Sequence, residues 1–457
     1  MKFYKFALIL LAIGFILPGC KPRAKGPNVI LVSLDTVRPD HLSVYGYFRK
    51  TTPFLERLSE ESVTFNNAYT PCPHTVTAHT SLFTSAYPSE HKTLYNGWKL
   101  KDWSKPLLAE VLKKAGYQTG AVVSSAVLAS WHNLNRGFEF YHDKDFEHQV
   151  GIVKKKENGP NLKIDFNQRR ASEVINWAQK WLNEIDPKQP FFLFLHFYDA
   201  HRPYDPDPNY NAPFKLDTEF IKYLTDNHYL MQDKYDSVNT YDNQLSYLDY
   251  NLEKFFSYLK SQGLLDKTLI IITADHGEGL GQHNLMSHGL YLYEDQVRIP
   301  LIIRFPDKAS AGMRIDARVN LIDIAPTILE YLKLKDPMEP RGTSLLGIIQ
   351  GVKKQPRSCE FFERRWYEPS KRAKGRKAGA LCDEWKIIWA DEEENELYNL
   401  NSDKFELTNL REMEQKKFLE LESEVKKHLD DVKFFSVQKQ TIPKEVQEQL
   451  KALGYTR

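Results

Sequence analysis

Thr268-Leu269-Ile270-Ile271-Ile272-Thr273-Ala274-Asp275-His276-Gly277-Glu278 is the stretch that decides how this chain folds. Residues 268–273 are apolar or β-branched without alternation. Such a run fits a strand buried on both faces, as in a parallel sheet covered by helices. Asp275 and His276 follow just beyond its carboxyl end, where open α/β sheets bind their ligands. One Asp after a strand is more often a helix cap, so the other strand ends carry the question.

Working outward, Asn28-Val29-Ile30-Leu31-Val32-Ser33-Leu34 is a second continuous run, ending at Asp35. Residues 120–124, 190–197 and 301–305 read as further strands. Between them, residues 52–63, 106–115, 169–182 and 239–259 carry helical spacing. Pro106 opens and Gly116 closes one of these, as helix punctuation predicts. Alternating β and α elements predict a doubly wound α/β sheet with helices on both faces. The composition shifts after Gly351. Residues 364–377 are strongly basic and 391–396 acidic. Residues 379–389 and 396–400 read as short hairpin strands, and 411–430 as a surface helix. A smaller C-terminal α+β subdomain over 351–457 is therefore expected beside a main domain over 28–350.

The chain has 457 residues, 42% hydrophobic and 27% charged, which excludes a disordered or collagen-like chain. Lys and Arg number 62 against 60 Asp and Glu. That balance gives no electrostatic case for nucleic acid. Four cysteines exclude a disulfide scaffold.

Lys2 and Lys5 precede a twelve-residue apolar run over 6–17. That is too short to span a bilayer core of ~30 Å as a helix. A charged start, a short apolar core and a small residue before the cut read as a signal peptide over 1–19. Leu17-Pro18-Gly19-Cys20 resembles a bacterial lipobox, which implies lipidation of Cys20 and a tether over 20–27. A plain signal peptide with an incidental Cys20 is the alternative. The expected location is the bacterial cell envelope, periplasmic or surface, with membrane contact through a lipid anchor only. An exported compartment permits disulfides. Cys359 and Cys382 flank the basic loop, where a bridge and two separate thiols both fit.

Three strand ends deliver polar clusters: Asp35-Thr36, His196 through Tyr204, and Asp275 through Glu278 followed by His283 and His288. Carboxylates with imidazoles at adjacent strand ends suggest a divalent metal. At these residues the chain resembles the sulfatase family of the alkaline phosphatase superfamily. Asn28 through Leu42 resembles the family's opening strand and metal-binding Asp. Thr75 through Thr84, with Tyr87-Pro88 and His91, resembles the nucleophile helix. Asp199-Ala200-His201-Arg202-Pro203-Tyr204, Asp275-His276-Gly277-Glu278, Asp323-Ile324-Ala325-Pro326-Thr327 and Glu396-Leu397-Tyr398-Asn399-Leu400 resemble later signatures. The resemblance covers residues 28 to about 410.

It implies an alkaline phosphatase-like mixed sheet and the following roles. Asp35, Asp275 and His276 bind the metal, and Thr75 sits on it as nucleophile at a helix head. His201 and His288 grip the anion and protonate the leaving group. His79 replaces an Arg of the nucleophile motif and contacts Thr75 or the substrate oxygens. Asp199 supports the site or binds substrate or a second metal. His283 is either a surface or a supporting residue.

Two departures carry weight. Thr36 stands where the family often has a second acid. Fewer carboxylates disfavour Ca²⁺, and His276 tilts the site toward Mn²⁺ or Zn²⁺, with Mg²⁺ open. Family sulfatases convert a Cys or Ser to formylglycine. Cys72-Pro73-His74-Thr75-Val76 lacks the Pro and Arg for that conversion, and Thr75-Val76-Thr77-Ala78-His79 aligns better, with an unmodified Thr. The reading is a metal-dependent hydrolase of sulfate or phosphate esters, of small-molecule, glycan or lipid origin, acting through a covalent intermediate. The alternatives are a phosphoethanolamine- or phosphoglycerol-type transferase and a non-catalytic binding relative. The basic stretch 364–377, with Trp366 and Tyr367, is either a solvated loop or a recruiter of an anionic polymer.

Overall fold

The computed structural model describes residues 26–144, 148–154, 162–364, 374–434 and 440–452. The expected signal segment, Cys20, the expected tether up to residue 25, Trp366 and Tyr367 lie outside the described residues. In chain order the first elements are β1 (Asn28–Leu34), α1 (Pro53–Ser59), β2 (Val63–Tyr69), α2 (Thr75–Thr84), α3 (Pro88–His91), α4 (Leu108–Lys114), β3 (Gln118–Val122), β4 (Phe140–His142), β5 (His148–Lys154) and β6 (Leu162–Gln168). Then come α5 (Ala171–Glu184), β7 (Phe191–Phe197), α6 (Thr218–Asp226), α7 (Tyr235–Ser261), β8 (Thr268–Ala274), α8 (Glu294–Val297), β9 (Arg298–Arg304), β10 (Arg314–Asn320), α9 (Ile324–Tyr331) and α10 (Leu346–Ile349). The C-terminal part holds β11 (Cys359–Arg364), β12 (Lys377–Cys382), β13 (Trp385–Ala390), β14 (Glu396–Asn399), α11 (Gln415–Asp431) and α12 (Lys444–Ala452).

The main sheet has eight strands in the order β10-β2-β9-β8-β1-β7-β3-β4. β8, β1, β7, β3 and β4 are mutually parallel, and β9 is antiparallel to both β8 and β2. The expected α/β class and mixed sheet with flanking helices hold, with a four-stranded antiparallel sheet β11-β12-β13-β14 after it. β7 and β8 are buried at every position, as their unbroken apolar runs predict.

Three expectations need correction. Val63 is the first residue of β2, not the end of a helix; the helix stops at Ser59. β2 and β10 lack long apolar runs, because Asn66, Asn67, Arg314, Asp316 and Arg318 occupy positions near one margin of the sheet. The basic stretch is not a free loop at its ends. Arg364 and Lys377 are buried and pair in register on β11 and β12. Lys377 Nζ pairs with Glu393, and Arg364 donates to the carbonyls of Leu290 and Gly375 at 3.0 and 2.8 Å. Cys359 and Cys382 face each other across the same two strands and form a disulfide.

The helix expected over 411–430 is α11. Its stripe Phe418, Leu421, Val425 and Leu429 packs on Ala378, Ala380 and Ile387 of the small sheet. Among the described residues no helix is long and apolar enough to cross a membrane.

Candidate active site

The carboxyl ends of β1 and β8 lie side by side, with Leu34 opposite Ala274. That register brings Asp35 next to Asp275 and His276, all three buried. Each offers a ligand atom, and these atoms lie within 4.8 Å of one another. Asp275 Oδ1 accepts the backbone N–H of Thr36 at 3.2 Å and of His276 at 2.8 Å, whereas its Oδ2 has no hydrogen-bond partner. Asp35 Oδ2 meets His196 Nε2 at 3.1 Å, whereas its Oδ1 has no partner. His276 donates Nδ1–H to the Gly277 carbonyl at 2.8 Å, which leaves Nε2 as the lone-pair nitrogen. Two orphaned buried carboxylate oxygens and one directed imidazole nitrogen are the donor set a divalent cation needs. Burial, with Asp275 alongside, drives the Asp35 carboxyl well above its ordinary range. A cation between the pair would relieve that repulsion.

Thr36 is not a fourth ligand. Its backbone is left-handed at φ 59°, and its hydroxyl is turned to the carbonyls of Asp35 and Ala200 at 2.7 and 2.9 Å.

Thr75 is the first residue of α2 and fully buried, with Oγ1 at 3.3 Å from His276 Nε2. A hydroxyl at a helix head, beside a candidate cation site, is where a tetrahedral anion is best received. Cys72 stands apart, before the helix. Its thiol lies 3.6 Å from His74 Nδ1, and burial pushes its pKa up.

The expected histidines divide. His201 and His288 face each other with ring centroids 5.1 Å apart, and His288 lies 4.4 Å from His276. His288 Nδ1 meets Glu278 Oε1 at 3.2 Å, and His201 Nδ1 donates to the Arg202 carbonyl at 2.5 Å. Burial, reinforced by His288, holds His201 well below the ordinary imidazole range. His79 makes its expected contact with Thr75, through the backbone carbonyl. It lies one turn along α2, fully buried, bonded to the Thr75 carbonyl at 2.7 Å and Ser33 Oγ at 2.9 Å. Both ring nitrogens are thereby committed to protein, and burial lowers its pKa to about 4. Asp199 is not in the cluster of ligand atoms; its Oδ1 accepts the N–H of Ala171 at the start of α5 at 2.9 Å. His283 stacks on Tyr293 at 3.8 Å, outside the ligand cluster.

Four residues have no role assigned by the sequence reading, although His196 and Glu278 stand in its polar clusters. His196 backs Asp35, and Glu278 backs His288. His74, buried, caps α2 and packs against Gly289; a Cβ there would sit 2.7 Å from its Nε2. Asn96, buried, accepts the Val76 N–H at 3.0 Å and leaves Nδ2 without a partner near the head of α2.

Against known families, the model described as Sulfatase matches residues 27–334. The chain belongs to the sulfatase family. A second match, N-sulphoglucosamine sulphohydrolase C-terminal, covers residues 281–434 and spans the small sheet. Among curated sulfatases, an arylsulfatase of Clostridium perfringens is 25% identical over 86% of this chain and 91% of its own. An N-acetylglucosamine-6-O-sulfatase of Bacteroides thetaiotaomicron is 24% identical over 94% and 92%. The solved phosphonate monoester hydrolase of Agrobacterium radiobacter superposes with a TM-score of 0.69 at 20% identity, over 89% of this chain and 95% of that one. The expected enzyme class, a sulfatase-type ester hydrolase, agrees with this family.

Proposed function

We propose that this sulfatase-family protein is a divalent-metal-dependent ester hydrolase whose nucleophile is the unmodified hydroxyl of Thr75. The observation that carries the reading is Thr75 Oγ1 at a helix head, 3.3 Å from His276 Nε2, beside the two orphaned carboxylate oxygens. Asp35, Asp275 and His276 would hold the cation, with Mn²⁺ or Zn²⁺ favoured by the imidazole. Bound there, such an ion supplies Lewis-acid polarisation of the hydroxyl and of an ester oxygen.

Thr75 Oγ attacks the central atom in line and forms a Thr ester as the bond to the leaving alcohol breaks. Asn96 Nδ2 is the unspent donor for an equatorial oxygen of the anion. Glu278 accepts Nδ1–H from His288, which fixes Nε2 of that ring as the atom that exchanges protons with the leaving oxygen. His201 adds a second imidazole on the same side. Water then attacks the Thr ester and returns the hydroxyl. A Thr ester has no second hydroxyl on its carbon, so release by elimination, open to formylglycine, is closed. Direct attack at the central atom suits phosphorus, so phosphate or phosphonate esters are the favoured substrates and sulfate esters the second choice.

The signal peptide and Cys20 belong to the same reading: export to the bacterial envelope and anchoring by lipid. Metabolic labelling with a fatty-acid analogue, lost in Cys20→Ala, tests that part. The catalytic test measures bound metal and turnover of p-nitrophenyl sulfate, phosphate mono- and diesters and a phosphonate monoester. Thr75→Ala should reduce phosphoester or phosphonate turnover by at least about a thousandfold with metal still bound. Turnover of the sulfate ester alone would overturn the phosphorus preference. Undiminished turnover in Thr75→Ala would overturn the nucleophile.

A further inference from the structure

Behind His276 and Gly277 lies a cavity of about 170 Å³, the liquid volume of five or six waters. Arg38, Asp40, Asp295, Arg298, Tyr229 and Phe405 are on its wall. It backs directly on the site above. A Cβ at Gly277 would fall 2.1 Å from the Asp295 carbonyl, and Gly277 adjoins His276.

Most charges on this wall are already met. Arg38 donates Nε and an NH2 to the Asp40 carboxylate at 3.0 and 2.6 Å. Glu294 and Glu406, also lining, share the buried Lys386 ammonium at 2.9 and 2.8 Å. Two groups are not met. Asp295 is 8% exposed, and neither carboxylate oxygen has a hydrogen-bond partner. Arg298 spends one NH2 on the Asn66 carbonyl, but its Nε–H has no partner. A buried acceptor pair and a buried donor, left open by the protein on one small cavity, are costly unless ordered water or a ligand meets them.

We propose that this cavity binds one neutral polyhydroxylated ring, an uncharged monosaccharide unit. Hydroxyls donate to Asp295 and accept from Arg298 Nε, which no purely cationic or anionic ligand does at once. Tyr229 and Phe405 add aromatic surface to the same wall, which suits the C–H side of a sugar. Arg298 and Lys404 share the wall with Asp295, whose carboxyl burial pushes up to about 7, so the cavity gives an ammonium no strong advantage. The assignment is independent of the catalytic chemistry.

Titration calorimetry of the full protein with glucose, galactose and N-acetylglucosamine tests it, with glucosamine and glucuronate as charged controls. The expected result is saturable binding of at least one neutral sugar. That binding should be weakened about tenfold or more in Asp295→Leu and retained in Thr75→Ala. Phe405→Ala, on a half-buried loop residue, gives the same readout if Asp295→Leu does not fold. Absence of saturable binding to every neutral sugar overturns the assignment. So does binding that Thr75→Ala abolishes, and so does binding that Asp295→Leu and Phe405→Ala leave unchanged.

Discussion

Two buried charged regions of this molecule are built on opposite principles. Between the sheets, three buried charge clusters are paired within the protein. Lys386, fully buried on β13, holds Glu294 and Glu406. Glu363 on β11 accepts from Ser89 N–H at 2.9 Å and meets His428 Nε2 at 2.8 Å. Arg357 joins Asp323 and Glu360. At the ends of β1 and β8 the reverse holds: Asp35 Oδ1, Asp275 Oδ2 and Asn96 Nδ2 have no partner. Paired interior charge fastens the small sheet to the large one, whereas unpaired interior charge is capacity reserved for something the chain lacks. Burial alone does not distinguish the two regions, since both are equally hidden from water.

The largest break in that comparison comes from exchanging single charges. Lys386→Met strands the buried Glu406 and the half-buried Glu294 and should cost about 3 kcal/mol of stability in urea unfolding. Asp275→Asn should do the opposite in cation-free protein. It removes one of two facing carboxylates and should leave stability equal or raised, while metal content by elemental analysis and ester turnover both collapse. If Asp275→Asn destabilises the cation-free protein as much as Lys386→Met, the distinction fails.

Next in size is the cation itself. Chelation should lower stability, and restoring Mn²⁺ or Zn²⁺ at about a hundred times its dissociation constant should return about 2.7 kcal/mol. The same treatment of Asp275→Asn should change the melting temperature little.

The smallest effect is a pH dependence of the satisfied interior. His132 Nδ1 donates to the Trp98 carbonyl at 2.9 Å, and His91 Nδ1 accepts the Thr93 N–H at 3.1 Å. Burial lowers their pKa values to about 4 and about 3. The unfolded chain, near the ordinary value of about 6.5, therefore binds more protons than the native state in mild acid. Their stabilisation is complete above about pH 6.5 and is lost as pH falls from there toward 4 and then 3. Urea unfolding at about pH 7.5 and about pH 5 measures it, and His132→Gln should flatten that acid limb.

The same contrast explains what could be read without coordinates. β1, β7 and β8 are legible because a strand buried on both faces has no freedom to be polar. β2 and β10 are not, because Asn66, Asn67 and Arg318 sit near a margin where polar residues cost little. Asp35, Asp275 and His276 are legible because they stand at the ends of those unmistakable strands. His196 lies inside an apolar run, and only the pairing of β1 with β7, which sets it opposite Ser33, brings its ring to Asp35. Asn96 reaches the head of α2 from a loop in which Asn96-Gly97 reads only as a turn. His79 reaches Thr75 because residues one helical turn apart share a face, and here that face is the core.

The position of β1 has a consequence for how the molecule comes into being. It leaves the ribosome before any other strand, yet its two neighbours are β7 and β8. Its hydrogen bonds stay unmade until residues 191–197 and then 268–274 have been synthesised. The half-site at Asp35 therefore forms only once synthesis has passed residue 274, beyond the midpoint of the 457-residue chain. Such long-range parallel pairing closes slowly and leaves an apolar edge open to chaperones meanwhile.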